Sequence, residues 1–576
     1  MKLSIIVPTR NRKEMIAKTL PALLNQKVPA GEYEVVVVSD GSTDGTVEFL
    51  STLNSPVSLR VIDRPHRGLA ATRNAGIQAA RGEIVLLIDD DMIGDPSLAE
   101  KHIAAHDGGR ACVAIGALRT SPQSASSLAT ELVRTSHQAY HDQLVRQGPS
   151  RSRYRLWLAA NFSAPRSLLL AHHGYDERFL SSEDHELAIR LWDAGVSFKF
   201  LPEALAYEIY SKDANRVVAS DAPRTGAADA NLARKHPGYR CVSVLASLFG
   251  ESRVRQIAWE MCCVSPFSPD LILRIPYSVA EAFRRNARME RLGLRLVQYR
   301  KSIAMMRSAA RETGSWRKLR QEFGMRLPVL NYLHAAPADR FEKHVRWLAR
   351  RGYVGIAPSQ WLRWIRMGEA LPHRPVLISF QGACAEVAEC ALPVLRRYDF
   401  RAVVHVVTGS INGRSESECE SQVGGRPLMT ADQIRFWANE GIEFGSLSRS
   451  YRRLTELDAE GLVEEVEASA QELGQLLGRR PISFAYPYGA VNEAVLEQVR
   501  RCFEMALSDV PGLNALCTDP HLMRTARITP NYRILDLVRA VFLGSPRAPS
   551  LRRRAALSDS TLFAPLPGSL SGNVEI

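Results

Sequence analysis

Three stretches in the first hundred residues share one pattern, an apolar and mostly β-branched run that ends abruptly in polar residues. They are SIIVPTRNR from Ser4 to Arg12, EVVVVSDGSTDGT from Glu34 to Thr46, and GEIVLLIDDDM from Gly82 to Met92. Each predicts a strand running into a polar loop, and the stretch between the first two, Glu14 to Leu24, has helical spacing. Strand, helix and strand alternating at this interval predict a parallel sheet with ligands gathered at the carboxyl ends of its strands. Asp40 and the run Asp89, Asp90 and Asp91 then share one crevice. Alternation along a strand places Asp89 and Asp91 on one side and Asp90 on the other.

Three consecutive carboxylates suit a hard cation. Oxygen ligation fits Mg²⁺ or Mn²⁺, and such an ion bridges one or two carboxylates to the phosphates of a substrate. The same acids also fit a strand end running into a solvated turn, so the residues alone leave both readings open. Farther on, SSEDHELAIRL begins another helical pattern. Ser181 is placed to cap it, Glu183 and Asp184 lie in a first turn where the helix dipole favours acids, and Gly195 follows Leu187, Leu191 and Trp192 as a stop. A helix start is also a firm mount for a catalytic base.

VPTRNR, SDGSTDGT, GLAATRNAGIQAARGEIVLLIDDD and SSEDHELAIRL resemble, in order and spacing, the motifs of family 2 glycosyltransferases of the GT-A fold, across residues 1 to 240. The resemblance implies a Rossmann-like GT-A domain, a nucleotide-sugar donor of the UDP-linked kind, and a glycan or other hydroxyl acceptor. It implies that Asp40 reads the nucleotide base, with Thr9, Arg73 and Asp90 on the donor side. Asp89 and Asp91 are implied as the DXD pair that holds Mn²⁺ or Mg²⁺ on the diphosphate, where the ion stabilises charge as the anomeric C–O bond breaks. Asp184, with Glu183 beside it, is implied as the base for the acceptor hydroxyl. Relatives often carry a histidine after the last core strand; this chain reads LAYEIYSKD, which puts Glu208 there as a further candidate metal ligand. The QxxRW signature and membrane-spanning helices of processive synthases are missing, since Arg255 to Glu260 reads RQIAWE. The expectation is an inverting, non-processive transferase of hexosyl or N-acetylhexosaminyl type.

The second half carries LPVLNYLHAAP, RPVLISFQGACAE, FRAVVHVVTGS, GIEFGSLSRSY and PISFAYPYGAVNE. These resemble polysaccharide deacetylases of the NodB-homology type, a distorted (β/α) barrel, from about residue 327 to 530. FAYPYG, Phe484 to Gly489, is intact, and Gly445 and Ser446 begin the family's GSHxxxH. The family's FDDG reads Phe380, Gln381, Gly382, Ala383, and its two histidine ligands fall on Leu447 and Tyr451. A catalytic metal needs about three protein ligands and an open position. His334, His344, His373, His405 and His521 do not show ligand spacing. The expectation is a barrel without deacetylase activity, which binds the acceptor or braces the transferase.

A chain of 576 residues is too long for one core. The expected division is a GT-A domain over 1–240, a helical connector over 241–326, a deacetylase-like domain over 327–540 and a flexible tail over 541–576, rich in Pro, Ser and Gly. The connector holds much of the formal charge of +13: Arg253 to Arg326 has 16 Lys and Arg against 6 Asp and Glu. A basic amphipathic segment fits a solvated face between domains, and it also fits peripheral contact with an anionic membrane. No stacking aromatics or binding motif accompany the charge, so nucleic acid is not an expected partner. Nine scattered cysteines without CxxC pairs, an N-terminus that enters its first strand at Leu3, and the lack of a long apolar run predict a cytoplasmic protein. Two other functions stay open: a bifunctional transferase and deacetylase, and a non-catalytic glycan-binding scaffold.

Overall fold

A computed structural model describes residues 1–108, 111–148, 160–250, 253–265, 270–332, 338–411, 427–529 and 532–545. The chain divides into two compact units. Met1–His236 and Ser252–Lys318 belong to the first, and Pro237–Glu251 and the described residues from Leu319 to Ser545 belong to the second. The basic segment 241–326 is therefore divided between them.

In the first unit, strands β1 (Leu3–Thr9), β2 (Tyr33–Asp40), β3 (Ser58–Arg64), β4 (Ile84–Ile88), β5 (Met92–Gly94), β6 (Cys112–Thr120), β7 (Asn161–Pro165) and β8 (Ser197–Glu208) form one sheet in the order 3-2-1-4-7-6-8-5. The first four run parallel, and every residue of β1 and β2 is buried. Such strands need cover on both faces. Leu3, Ile5 and Val7 meet Ile16, Leu20 and Leu23 of helix Lys13–Leu24 on one face; Ile6, Val36 and Val38 meet Ala70 and Ile77 of helix Leu69–Ala79 on the other. Gly76 permits that second packing, because a Cβ there would lie 2.4 Å from Ile6 Cγ2.

The register sets Thr9 opposite Ser39, one residue before Asp40, and pairs Ile6 with Leu87, so the polar ends of β1, β2 and β4 reach one edge. One expectation changes here. β4 stops at Ile88, and Asp89, Asp90 and Asp91 occupy the following turn, closed by Met92 N–H donating to the Asp89 carbonyl at 3.2 Å. Strand alternation therefore does not govern these acids: Asp90 is buried while Asp89 and Asp91 are half-buried.

Helix Ala287–Glu312 packs on Ala222–Lys235 and Asp270–Ala282, burying Val297, Ile303, Met305, Met306 and Ala309. Gly226 lies against the Met305 backbone, where a Cβ would stand 2.2 Å from the carbonyl oxygen. Among the described residues no helix is long and apolar enough to cross a membrane.

The second unit is built on a parallel sheet. Strands Met505–Leu507, Ser483–Ala485, Glu443–Ser446, Val403–Val406, Pro375–Gln381, Val329–Tyr332 and Ala526–Ile528 follow one another across it, with Val354–Gly355 also pairing to Pro375–Gln381. The sheet curls: Leu507 on one edge bridges to Met523, three residues before the strand at the other edge. All the loops that follow these strands leave from the same end.

Candidate active site

The acidic turn after β4 is held from below. Thr9, the last residue of β1, donates its hydroxyl to Asp90 Oδ2 at 2.7 Å, and Thr19 donates to the Asp90 carbonyl at 2.7 Å. Arg12 reaches Asp90 Oδ1 at 3.3 Å and Asp91 Oδ2 at 3.1 Å. Burial lifts the Asp90 carboxyl to about 7 against the pull of Arg12. Asp90 is thus turned under the loop as an anchor.

Arg73 is 1% exposed and joins two separate parts of the chain. Its Nη2 lies 2.8 Å from Asp89 Oδ1, its Nη1 binds Glu183 Oε1, and its guanidinium sits over the Tyr175 ring, 5.4 Å from the centroid. Burial works against the charge, and Asp89, Tyr175 and Glu183 secure it. A rigid fork with several donors suits two carboxylates at once. The neighbouring Asn74 clamps the same segment, donating to the Tyr175 carbonyl at 2.9 Å and accepting from its N–H at 2.8 Å. Gly174, at φ +59, allows that approach; a Cβ would lie 2.4 Å from Asn74 Oδ1.

Helix Glu183–Asp193 starts one residue later than the cap predicted from sequence. Ser182, not Ser181, precedes it, at φ 60 and without a side-chain cap bond. Its first acids turn inward because they have cationic partners there: Arg73 for Glu183, and Arg190 and Lys235 for Glu186. The other end follows the sequence pattern, with Gly195 at φ +78, its N–H donating to Trp192 at 2.9 Å and that of Val196 to Leu191 at 3.0 Å.

Asp184 lies 3.3 Å from His185 Nδ1, an ion-pair contact without hydrogen-bond alignment. Burial disfavours its charge, but His185 and Arg73 hold its carboxyl below the usual range. Asp184, Glu183 and Asp89 all act on the Tyr175 hydroxyl. The structure thus brings Asp184 into the same cluster as the acids after β4, with Arg73 as the link.

Glu208 closes the far side. β8 pairs its last residue with Met92 and Thr120, and the N–H of Ile209 donates to the Asp91 carbonyl at 2.8 Å. Burial, then the like charges of Asp91 and Asp89, lifts the Glu208 carboxyl to about 8, and His137 Nε2 stands 3.3 Å from Oε2. Asp40 occupies its own corner, accepting from the N–H groups of Arg67 at 2.8 Å and Gly68 at 3.0 Å and facing His66 Nδ1 at 2.7 Å. Burial opposes its ionisation, yet these bonds keep it below its usual range. Arg73 and Thr9 serve the acidic turn and make no bond to Asp40.

The donor set is all oxygen and carries surplus negative charge, which fits Mg²⁺ or Mn²⁺. Among the described residues no three acidic, histidine or cysteine side chains are gathered to hold an ion by themselves. Two carboxylates are enough where substrate phosphates complete the shell.

Sequence reasoning missed Arg12, His66, Tyr175 and His137. Arg12 had a signal, since it lies in VPTRNR beside the acidic turn once β1 pairs with β4. Tyr175 and His137 had none, because their closeness to the site is purely tertiary.

In the second unit Gln381, Gly382, Leu447 and Tyr451 place no charged group at the corresponding strand ends. Gln381 ends one strand and Gly382 and Ala383 follow it, and Leu447 to Tyr451 follow another; Ala383, Leu447 and Tyr451 are buried. Ala383, Ser448, Tyr451 and Tyr488 all hold left-handed backbone, with φ of 45, 66, 66 and 58. Non-glycine residues rarely adopt it, and it concentrates at functional sites. The rings of Tyr451 and Tyr488 lie 4.8 Å apart, Arg453 covers Tyr488 at 4.9 Å, and Asp509 pairs with Arg527 at 2.6 Å. His405 lies in the core between Ser379 and Ser483, where burial pushes it down to about 3. His344 bonds the Tyr332 hydroxyl, His521 the Phe503 carbonyl, and His373 is exposed; His334 lies outside the described residues.

Comparison with known proteins agrees with this division. Residues 4–153 match the family model "Glycosyl transferase family 2", and residues 368–503 match "Polysaccharide deacetylase". The chain is 37% identical over 119 residues to "Uncharacterized glycosyltransferase YfnE" of Bacillus subtilis, covering 20% of this chain and 30% of that protein. It is 37% identical over 102 residues to "Poly(ribitol-phosphate) beta-glucosyltransferase" of Bacillus spizizenii, covering 17% of this chain and 16% of that protein. It is 22% identical over 227 residues to "Putative polysaccharide deacetylase YxkH" of Bacillus subtilis, covering 38% of this chain and 76% of that protein. The chain thus spans less than a third of the length of the two glycosyltransferases.

Proposed function

We propose that this chain, a family 2 glycosyltransferase domain followed by a polysaccharide deacetylase domain, transfers one sugar from a UDP-linked donor to an acceptor hydroxyl with inversion. The observation that carries the reading is the Arg73 bridge from Asp89 to Glu183, which joins the candidate DXD turn to the helix bearing Asp184. Asp40, at the end of β2, reads the base. Asp89 and Asp91 hold the divalent ion, and Glu208 is placed to join them. When bound, that ion supplies charge stabilisation to the departing diphosphate.

Asp184 takes the acceptor proton. Its carboxyl is ionised at neutral pH, as a base must be, and it sits on the first turn of a helix anchored by Arg73 through Glu183. Arg73 and Glu183 act as positioning residues, and Thr9 and Asp90 fix the turn that presents Asp89 and Asp91. The donor sugar is of hexosyl or N-acetylhexosaminyl type, and polyol-phosphate or glycan chains are candidate acceptors by analogy with the glucosyltransferase matched above.

The deacetylase domain is inactive in this reading and binds glycan. The absence of donor atoms at Gly382 and Leu447 supports inactivity, and the aromatic pair Tyr451 and Tyr488 supports carbohydrate contact. All eight cysteines among the described residues are free, which supports a cytoplasmic location.

The test is nucleotide diphosphate release from a panel of nucleotide sugars with Mn²⁺, comparing the protein with Asp91→Ala and Asp184→Asn. Loss of release in both variants is the expected result; unchanged release in either removes that residue's role. Zinc-dependent acetate release from acetylated oligosaccharides would overturn the inactive reading of the second domain.

A further inference from the structure

Two helices of the first unit bury one side and expose an apolar other. Helix Asp270–Ala282 turns Tyr277 and Ala280 inward toward Ala287–Glu312. Its outer side carries Leu271, Ile272, Ile275 and Val279, with Phe283 just beyond, all between 47% and 75% exposed. Helix Arg253–Val264 repeats the arrangement: Trp259 is buried with its ring 5.8 Å from that of Tyr299, while Ile257, Met261 and Val264 are at least 59% exposed. Positions 272, 275, 279 and 283, like 257, 261 and 264, follow the spacing of a single helical stripe. A lone exposed leucine needs no explanation; two apolar stripes on neighbouring helices that share one support do.

The charge around them is one-sided. Two of the acids of this region turn to internal partners, Asp270 to buried Arg300 at 2.6 Å and Glu281 to the Tyr277 hydroxyl at 2.6 Å, while Glu260 and Glu290 are half-buried. Apart from Arg300, arginines gather on the outside. Arg285, Arg288, Arg291 and Arg295 are exposed, and Arg285, Arg288 and Arg295 have no carboxylate partner among the described residues. Along Ala287–Glu312, Arg288, Leu292, Arg295 and Tyr299 alternate cation and apolar group on one exposed side.

We propose that this face docks the protein on an anionic lipid bilayer, with both helices lying in the interface. Apolar side chains at helical spacing enter the boundary between headgroups and acyl chains, and arginines at their edge keep their stems in apolar surroundings while their guanidinium groups meet lipid phosphates. No described helix can cross the bilayer, so attachment is peripheral and weakened by salt. The proposal does not depend on the transferase reading, because docking requires no turnover.

The experiment is flotation of the full chain with vesicles of phosphatidylcholine alone or mixed with phosphatidylglycerol, at low and high salt. The protein is expected to float with the anionic mixture at low salt and to stay behind with phosphatidylcholine alone. Ile272→Asp with Ile275→Asp and Phe283→Asp should lower the bound fraction by about tenfold or more, because burial of those side chains drives insertion. Arg285→Glu with Arg288→Glu and Arg295→Glu should also detach the protein. All six side chains are outward, so melting temperatures should stay unchanged, which separates lost docking from lost folding. Failure of the wild-type chain to float with either vesicle overturns the proposal, as does equal flotation of the aspartate variant. A wild-type dimer that does not float and becomes monomeric in that variant assigns the face to a second copy and overturns it as well.

Discussion

Both units gather polar loops at the carboxyl ends of parallel strands, yet the two strand-end crevices differ in kind. The first collects Asp89, Asp90, Asp91, Glu183, Asp184 and Glu208 and balances them with Arg12 and Arg73. The second presents Gln381, Gly382, Leu447 and Tyr451 where the resemblance to polysaccharide deacetylases implies two aspartates and two histidines, with Tyr488 stacked beside Tyr451. Charge separates them, and the backbone of the second holds left-handed conformations at Ala383, Ser448, Tyr451 and Tyr488. Architecture alone does not report chemistry, which depends on the side chains a crevice presents.

Asp91→Ala is the strongest way to break this contrast. If the charged crevice is the catalytic one, nucleotide diphosphate release should fall by about a thousandfold, the scale for removing charge stabilisation from a transition state. Leu447→Ala in the neutral crevice should leave that rate unchanged. Equal losses in the two variants would erase the distinction.

Arg73→Gln tests what holds the charged crevice together. With Arg73 only 1% exposed, removing it strands Glu183 without its partner, and denaturant unfolding should show a loss of about 3–5 kcal/mol, typical of a broken buried pair. A variant of wild-type stability would mean that water replaces the guanidinium freely.

Acid should act on the second unit through His405. Burial pushes this imidazole from 6.5 to about 3, so the fold keeps it neutral while the unfolded chain protonates it. The unfolded state then binds more protons between those values, and its contribution is fully present above pH 6.5 and lost as the pH falls toward 3. The slope is at most about 1.4 kcal/mol per pH unit from this one group. Stability measured across that range should flatten in a His405→Gln variant relative to wild type.

The smallest expected effect belongs to Tyr488→Ala. If the neutral crevice binds glycan through its paired rings, affinity for an oligosaccharide should drop several-fold, about the 1 kcal/mol scale of one aromatic contact. Calorimetry on the full chain would show it, with diphosphate release from donor alone unaltered.

Much of the first site was legible in the order of residues. Apolar runs ending at Thr9, Asp40 and Ile88 specified strands buried on both faces, and parallel pairing then had to bring their polar ends to one edge. The helix carrying Leu187 and Leu191 and its stop at Gly195 followed from spacing and from glycine's tolerance of positive φ, though its start lies one residue beyond the expected cap, after Ser182. Local pattern could not settle which way each acid turns, and it misjudged the run after β4 because the strand ends at Ile88. Direction was decided by partners remote in the chain: Arg12 and Thr9 draw Asp90 under the turn, Arg73 ties Asp89 to Glu183, and β8 carries Glu208 to Asp91. The sequence by itself determined which groups stand at the strand ends, because periodicity and turn chemistry are local. Only the tertiary structure decided which of those groups is buried, paired or free to react, because a carboxylate's state depends on burial and on charges that long-range packing brings beside it.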